Sequence, residues 1–185
     1  MSPPPHRSLA DLAASLAAAG DAEAAVFELV GSWVQSVPEP SVKVALSIHS
    51  RRHGEHCLEL GGVTPRVPSA VPGPAFDPAV LAAAGRLAST GGRLAALACV
   101  LLPRLVALAA VDPGPAVSAA PVARALRRIE ADHREMAGDL AALVARVASA
   151  GAPAEREAVE AELAELARAS GQELRWPPSN LTGSP

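Results

Sequence analysis

Apolar residues recur every three or four positions along most of the chain, the spacing that places them on one face of an α-helix. The pattern predicts four long helices and a shorter, glutamate-rich fifth helix. Their expected bounds are 9–37, 41–60, 78–111, from 118–121 to 150, and 154–169. Ser8 and Asp77 are suitable N-caps for the first and third helices. We expect the third helix to be continuous, with bends at Gly91-Gly92 and Pro103.

The connections between the helices predict how they pack. Pro38-Glu39-Pro40 and Asp112–Pro115 are short turns, which join antiparallel neighbours. The loop 61–78 is proline-rich and has no helical period, so it allows a crossover to the far side of a bundle. We therefore predict an all-α fold of two antiparallel hairpins, a long crossover and a short C-terminal helix. One domain is expected over residues 8–170, with flexible segments at 1–7 and 171–185.

Composition supports a helical protein and excludes some partners. Half of the residues are hydrophobic, most of them alanine and leucine, and only 2% are aromatic. The net charge is -3 and no long basic run is present, which argues against nucleic acid as a partner. The most apolar run, Leu94 to Val111, is interrupted by Pro103 and Arg104 and falls short of the roughly 20 apolar residues of a membrane span. It is predicted to be a buried core helix, with no membrane partner.

The cellular context expected from the sequence is the cytoplasm of a bacterium. The N-terminus, MSPPPHRS, lacks the apolar core of a signal peptide. Cys57 and Cys99 both fall inside predicted helices, which fits buried, reduced thiols better than a disulfide framework. The abundance of alanine, proline, arginine and glycine is typical of proteins from GC-rich bacterial genomes.

Three of the five histidines lie in one stretch of the second helix. His49, His53 and His56 are offset by four and seven residues, so they share one helical face. The same face continues through apolar residues to Leu60, which means that the imidazoles are set into a stripe that should point inward. Arg51, on another face, can remain in water.

Candidate partners for these histidines come from two other helices. On the fourth helix, Glu130 and His133 are three residues apart, and such a pair presents an oxygen and a nitrogen to one point, which suits a first-row transition metal. On the first helix, equal rise along an antiparallel hairpin places Glu23 opposite His53 and His56. The same count places Glu28 near His49. Glu23 is preferred as the core carboxylate, and Glu28 with His49 is the second choice.

With two hairpins, a crossover, a carboxylate on helix one and ExxH-like pairs on helices two and four, the chain resembles the ferritin-like superfamily. That resemblance implies a site in which a Glu on helix one and an ExxH motif on helix two bind one iron. A Glu on helix three and an ExxH motif on helix four would bind a second. Carried across, Glu23, His53 and His56 match the first half, and Glu130 and His133 match part of the second.

The sequence departs from this pattern in two places. His53 replaces the first Glu of the helix-two motif, so one bridging carboxylate is missing. Helix three should offer a Glu at Ala96 to Val100, but the chain contains no acid between Asp77 and Asp112. A carboxylate-bridged di-iron centre is therefore disfavoured. The remaining groups could hold one metal, a nitrogen-rich pair, or none.

The function implied by the resemblance is oxygen-dependent oxidation of a small organic molecule by an incomplete metal site. Iron is the expected metal, with Mn and Zn as alternatives. His53 would act as a ligand or as a catalytic proton carrier. Loss of the helix-three carboxylate would leave space for substrate beside Leu97 and Val100. The remaining expected ligands are Glu23, His56, Glu130 and His133.

Two other functional classes fit the same sequence. A metal-free bundle could bind a small ligand or perform acid–base chemistry through a histidine. A purely structural or interaction bundle could form a homodimer through its alanine-rich faces, although no heptad seam is sustained over several turns.

Overall fold

The computed structural model describes residues 8–114 and 119–178, and within these ranges the secondary structure is entirely helical. This confirms the predicted all-α class. The predicted flexible segment 1–7 and the end of the tail lie outside the described residues. The helices are α1 (Leu9–Val34), α2 (Pro40–Val63), α3 (Pro78–Gly85), α4 (Thr90–Ala96), α5 (Leu102–Ala109), α6 (Ala120–Ala150) and α7 (Pro153–Ser170). A π-helical segment, Leu97–Leu101, links α4 to α5.

The first helix has a well-defined start. The Ser8 side chain accepts a hydrogen bond from the Asp11 backbone N–H, and the Asp11 carboxylate accepts one from the Ser8 backbone N–H. This reciprocal capping satisfies two backbone donors that a helix start leaves without partners. The helix then continues for 26 residues without a break.

The second helix extends further than the sequence predicted. The expected stop at Gly61-Gly62 is wrong, because both glycines lie inside α2. Glycine weakens a helix by about 1 kcal/mol without forbidding it. The helix ends instead at Thr64, whose backbone N–H and hydroxyl both donate to the Leu60 carbonyl.

The predicted third helix is divided, and this corrects the expectation of one continuous helix. Its main break falls after Gly85, upstream of the predicted bends. A new helix starts where Ser89 accepts a hydrogen bond from the Gly92 N–H. The Glu162 carboxylate, on α7, accepts from the backbone N–H groups of Ala88 and Ser89. This partner is distant in sequence, so local periodicity does not reveal the break.

The main core is enclosed by α1, α2, α6 and the run that contains α4 and α5. Helix α1 packs against α2 and α5, and α6 packs against α2, α4 and α5. Helix α7 lies outside this arrangement, against α3 and α4, where it buries Leu163 and Leu166 completely. Trp176, beyond α7, is also buried. Phe27, by contrast, leaves 44% of its surface exposed and is not part of the core.

Among the described residues, one helical run, Thr90–Ala109, is long and apolar enough to cross a membrane by length and composition. A buried core helix passes the same test, and most of this run is buried against the rest of the bundle. Leu94, Leu97, Leu101 and Leu105 are all at least 99% buried. The run is thus the central apolar helix of the fold.

Candidate metal centre

Glu23 occupies a core position on α1. It continues the buried stripe formed by Leu16, Ala19 and Val26, and only 2% of its surface is exposed. A carboxylate enters such a stripe at a high cost unless it is paired. Its partners come from α2 and α6, the two helices that bring histidines to the same level.

Three imidazoles surround this carboxylate. Glu23 Oε2 lies 2.6 Å from His53 Nδ1, and Glu23 Oε1 lies 2.8 Å from His133 Nε2, so each carboxylate oxygen takes part in one hydrogen bond. His56 Nδ1 is 3.4 Å from Glu23 Oε1. The ring centroids of His56 and His133 are 5.1 Å apart. One Glu and three His therefore form a single group, the Glu/His group, in which each residue is at least 98% buried.

A fifth residue links the group to the surface. His56 Nε2 lies 3.1 Å from Asp132 Oδ2, and the Asp132 side chain is 28% exposed. Asp132 also lies 3.9 Å from the Arg128 guanidinium. Asp132 could not be predicted from the sequence. Helices α2 and α6 are not joined by a turn, so the residues that face each other across them cannot be found by counting outwards from one.

The electrostatics of the group keep the carboxylate ionised. Burial raises the pKa of Glu23, but the hydrogen bonds with His133 and His53 and the proximity of His56 outweigh it, so the pKa lies well below its usual range. Burial lowers the pKa of His53 despite its contact with Glu23. For His56, burial is outweighed by the carboxylates of Glu23 and Asp132, and its pKa is raised.

His49, the second-choice residue, lies one turn before His53 and is 99% buried. Neither of its ring nitrogens has a hydrogen-bond partner. Burial, together with the nearby His53 and Arg52, lowers the pKa of His49 to about 4. His49 is therefore a neutral neighbour of the Glu/His group and is not one of its four members.

The donor set fits one transition-metal ion. The four candidate ligand atoms of Glu23, His53, His56 and His133 all lie within 4.8 Å of one another. Metal bonds of about 2.0–2.2 Å place two ligands about 3.3 Å apart in a tetrahedron and about 4.2 Å apart across an octahedron. Small side-chain rotations would close the difference. Imidazole and carboxylate together suit Zn, Fe, Mn and related ions.

Unpartnered nitrogens are a second observation in favour of a ligand. His53 Nε2, His56 Nδ1 and His133 Nδ1 are buried and have no hydrogen-bond partner. Buried polar atoms normally have one, because leaving such an atom without a partner costs about 1–3 kcal/mol. The group is therefore not a closed hydrogen-bond network, and it retains capacity to bind something else.

The residues do not fit a di-iron centre with bridging carboxylates. The group contains one carboxylate, Glu23, where such a centre needs several. The segment from Pro78 to Val111, which includes α3 to α5, has no Asp or Glu in its sequence. Only α1, α2 and α6 therefore bring residues to the group.

The structure separates the other predicted ligands from the group. The Glu130 side chain is 61% exposed and accepts a 2.7 Å hydrogen bond from Arg134. The buried stripe of α6 contains Ile129, His133 and Met136, and Glu130 lies about 100° round the helix from Ile129, so it faces solvent. Glu28 is also exposed. The expectation that Glu130 would join His133 at the centre is thus corrected.

A cavity of about 340 Å³ lies beside the Glu/His group, between α5 and α6. His133 is part of its wall, and Arg127 and Glu130 line it as well. The space for a ligand was expected beside Leu97 and Val100, but both of these are buried in the main core. The cavity lies further along the chain, at Val106 to Pro113.

Comparison with known proteins leaves the chain without an assigned family. No protein-family model, no curated protein sequence and no solved structure matches it.

Proposed function

We propose that this protein is a ferritin-like metalloprotein that binds one divalent first-row transition-metal ion and transforms a small organic molecule beside it. The ligands are Glu23, His53, His56 and His133. The observation that carries the proposal is the convergence of four fully buried donors within 4.8 Å, with three ring nitrogens left without partners. Burying these groups is costly, and an ion offsets that cost.

Iron is the metal that the ferritin-like resemblance favours, and the single carboxylate with three imidazoles also suits Zn or Mn. When bound, such an ion supplies Lewis acidity or, in the case of iron, oxygen-dependent oxidation.

The protein residues hold the ion and move protons. His53 and His133 each bond Glu23 through one ring nitrogen. An ion at these nitrogens would require the ring proton to move to the opposite nitrogen, which has no partner in either residue. His56 Nδ1 approaches Glu23 Oε1 at 3.4 Å without forming a hydrogen bond, and His56 Nε2 lies 3.1 Å from Asp132 Oδ2, so polar groups continue from Glu23 to a partly exposed side chain. This is a route by which protons leave a site that is otherwise surrounded by apolar side chains.

A metal-free function is the second candidate, and one observation favours it. Both oxygens of Glu23 already take part in hydrogen bonds, with His53 and His133, so the carboxylate is satisfied without an ion. In that case the bundle would bind an organic ligand and use a histidine as an acid or base.

Metal analysis separates the two candidates. The protein is purified without chelators, loaded anaerobically with Fe(II), and in parallel with Mn(II) and Zn(II), and desalted before elemental analysis. We expect about one ion per chain in the wild type and a loss of at least about tenfold in metal affinity in His53→Ala and His133→Ala. Glu130→Gln is the matched control, because Glu130 lies on the same helix as His133 and faces solvent. A wild-type protein that retains none of the three metals would exclude the metalloprotein.

A further inference from the structure

The cavity between α5 and α6 differs from an ordinary surface groove because it reaches the Glu/His group. Its wall is mainly apolar and includes Val106, Val111 and Leu126. One polar residue of the wall, His133, is 99% buried and belongs to the group. At about 340 Å³, the cavity falls at the small end of the usual range for small-molecule sites, about 300–1,000 Å³.

The ring of His133 has one nitrogen to offer a ligand. Its Nε2 is engaged with Glu23, at 2.8 Å, while its Nδ1 is buried and has no hydrogen-bond partner. A histidine that binds a metal through one nitrogen usually donates the other N–H to a carboxylate, a carbonyl or water. No described residue accepts from His133 Nδ1, so an acceptor oxygen of a bound molecule could take this place when an ion occupies Nε2.

The charge of the wall favours an anion. Glu130, the carboxylate of the wall, forms an exposed ion pair with Arg134. Arg127 makes no ion pair with any residue in the described part of the chain, so its positive charge is uncompensated. A guanidinium in this position attracts carboxylates and offers them two parallel N–H donors.

We infer that this cavity binds a small organic anion with an apolar body, a monocarboxylic acid being the simplest case, and that it delivers this molecule to the Glu/His group. The apolar body would contact Val106, Val111 and Leu126, while the Arg127 guanidinium would attract the acceptor oxygens. The inference names the substrate class of the proposed enzyme and rests on the proposed function for the reaction. Binding of the anion itself does not require the metal.

The test uses octanoate as the probe and octylammonium as its charge-reversed counterpart, in calorimetric titrations of the full chain. Ala123, in the wall, is replaced by Phe to fill the cavity, and Ala145→Phe on the exposed side of the same helix is the matched control. We expect octanoate to bind the wild type and Ala145→Phe equally and to bind Ala123→Phe at least about tenfold more weakly. Octylammonium should bind the wild type several-fold more weakly than octanoate.

Equal octanoate affinity in Ala123→Phe and the wild type, no detectable octanoate binding by the wild type, or equal affinity for octylammonium would overturn the inference. If Ala123→Phe fails to fold, magnetisation transfer between octanoate and the methyl groups of Val106 and Leu126 in the wild type replaces it, and its absence is equally decisive. Metal content is measured on the same samples. Metal without octanoate binding defeats only this inference, and octanoate binding without metal defeats only the metalloprotein.

Discussion

Glu23 Oε2 and His53 Nδ1 are 2.6 Å apart, and this hydrogen bond joins α1 to α2 inside the core. The same carboxylate also contacts α6 through His133. One side chain on the first helix is therefore the contact shared by three helices, and it is important for folding as well as for any chemistry.

Glu23→Gln is predicted to destabilise the metal-free protein by about 2–3 kcal/mol, because a buried hydrogen-bonded charge is lost while its imidazole partners remain buried. Urea denaturation in the presence of a chelator measures the change. Glu28→Gln, on the exposed side of the same helix, should stay within about 0.5 kcal/mol of the wild type. Equal effects of the two substitutions would show that the Glu23 hydrogen bonds contribute nothing net.

Stability should fall on mild acidification, partly because of His49. Its pKa is lowered from 6.5 to about 4 in the folded protein, so the unfolded chain binds the extra proton between these values. The stabilisation from neutral His49 is complete above pH 6.5 and is lost as the pH falls towards 4, by up to about 3 kcal/mol.

His49→Leu is therefore predicted to flatten the dependence of unfolding free energy on pH between 6.5 and 4. At pH 7 it should retain or increase stability, because neither ring nitrogen of His49 has a partner to lose. Urea titrations of the chelated protein at four pH values in this window test both statements. An unchanged slope would mean that His49 keeps an ordinary pKa in the folded protein.

Gly91 is predicted to be a site where even one methyl group is harmful. A Cβ there would lie 2.8 Å from Val159 Cγ2 and 3.1 Å from Trp176 Cζ2. We expect Gly91→Ala to cost about 1–3 kcal/mol through overpacking against α7 and the tail. Gly138, in the middle of α6, has nothing within 4 Å of the same position.

Gly138→Ala should instead stabilise the protein by about 0.5–1 kcal/mol, because alanine favours the helix. Thermal melts of the two variants should thus shift in opposite directions. A gain of stability in both variants would show that α7 lies farther from Gly91 than these distances indicate.

Glu162 is predicted to fix the break before α4. Its carboxylate accepts from the Ala88 and Ser89 backbone N–H groups, each at 3.1 Å. Glu162→Ala should cost about 1–2 kcal/mol, as expected for loss of a helix-capping partner. Hydrogen exchange at the Ser89 amide should also become faster, whereas Glu160→Ala, at an exposed position of the same helix, should leave it unchanged.

All four residues of the Glu/His group could be predicted from the sequence, because their positions follow the helical period. His53, His56 and His133 lie on apolar stripes, and equal rise along the first hairpin pairs them with Glu23. Asp132 could not be found in this way, since it depends on how α6 approaches α2, a segment distant in the chain. The cavity lies in the predicted hairpin of α5 and α6, but the helical period does not show where two neighbouring helices leave space between them.

Spacing alone also overpredicted one ligand. Glu130 satisfies the ExxH pattern, but it lies on the side of His133 away from Ile129 and Met136, and Arg134 provides it with a partner in solvent. The division of the third helix was missed for a related reason. The partner of the backbone at Ala88 and Ser89 comes from α7.

The segment from α3 to α5 contributes no residue to the Glu/His group, yet α5 forms one wall of the adjacent cavity. Changes at Val106 or Ala109 can therefore alter the shape of the cavity while leaving every side chain of the Glu/His group in place. Evolution could thus change the specificity of the cavity through α5, while α1, α2 and α6 keep the residues of the Glu/His group. Directed evolution of this molecule would best begin with a library confined to α5.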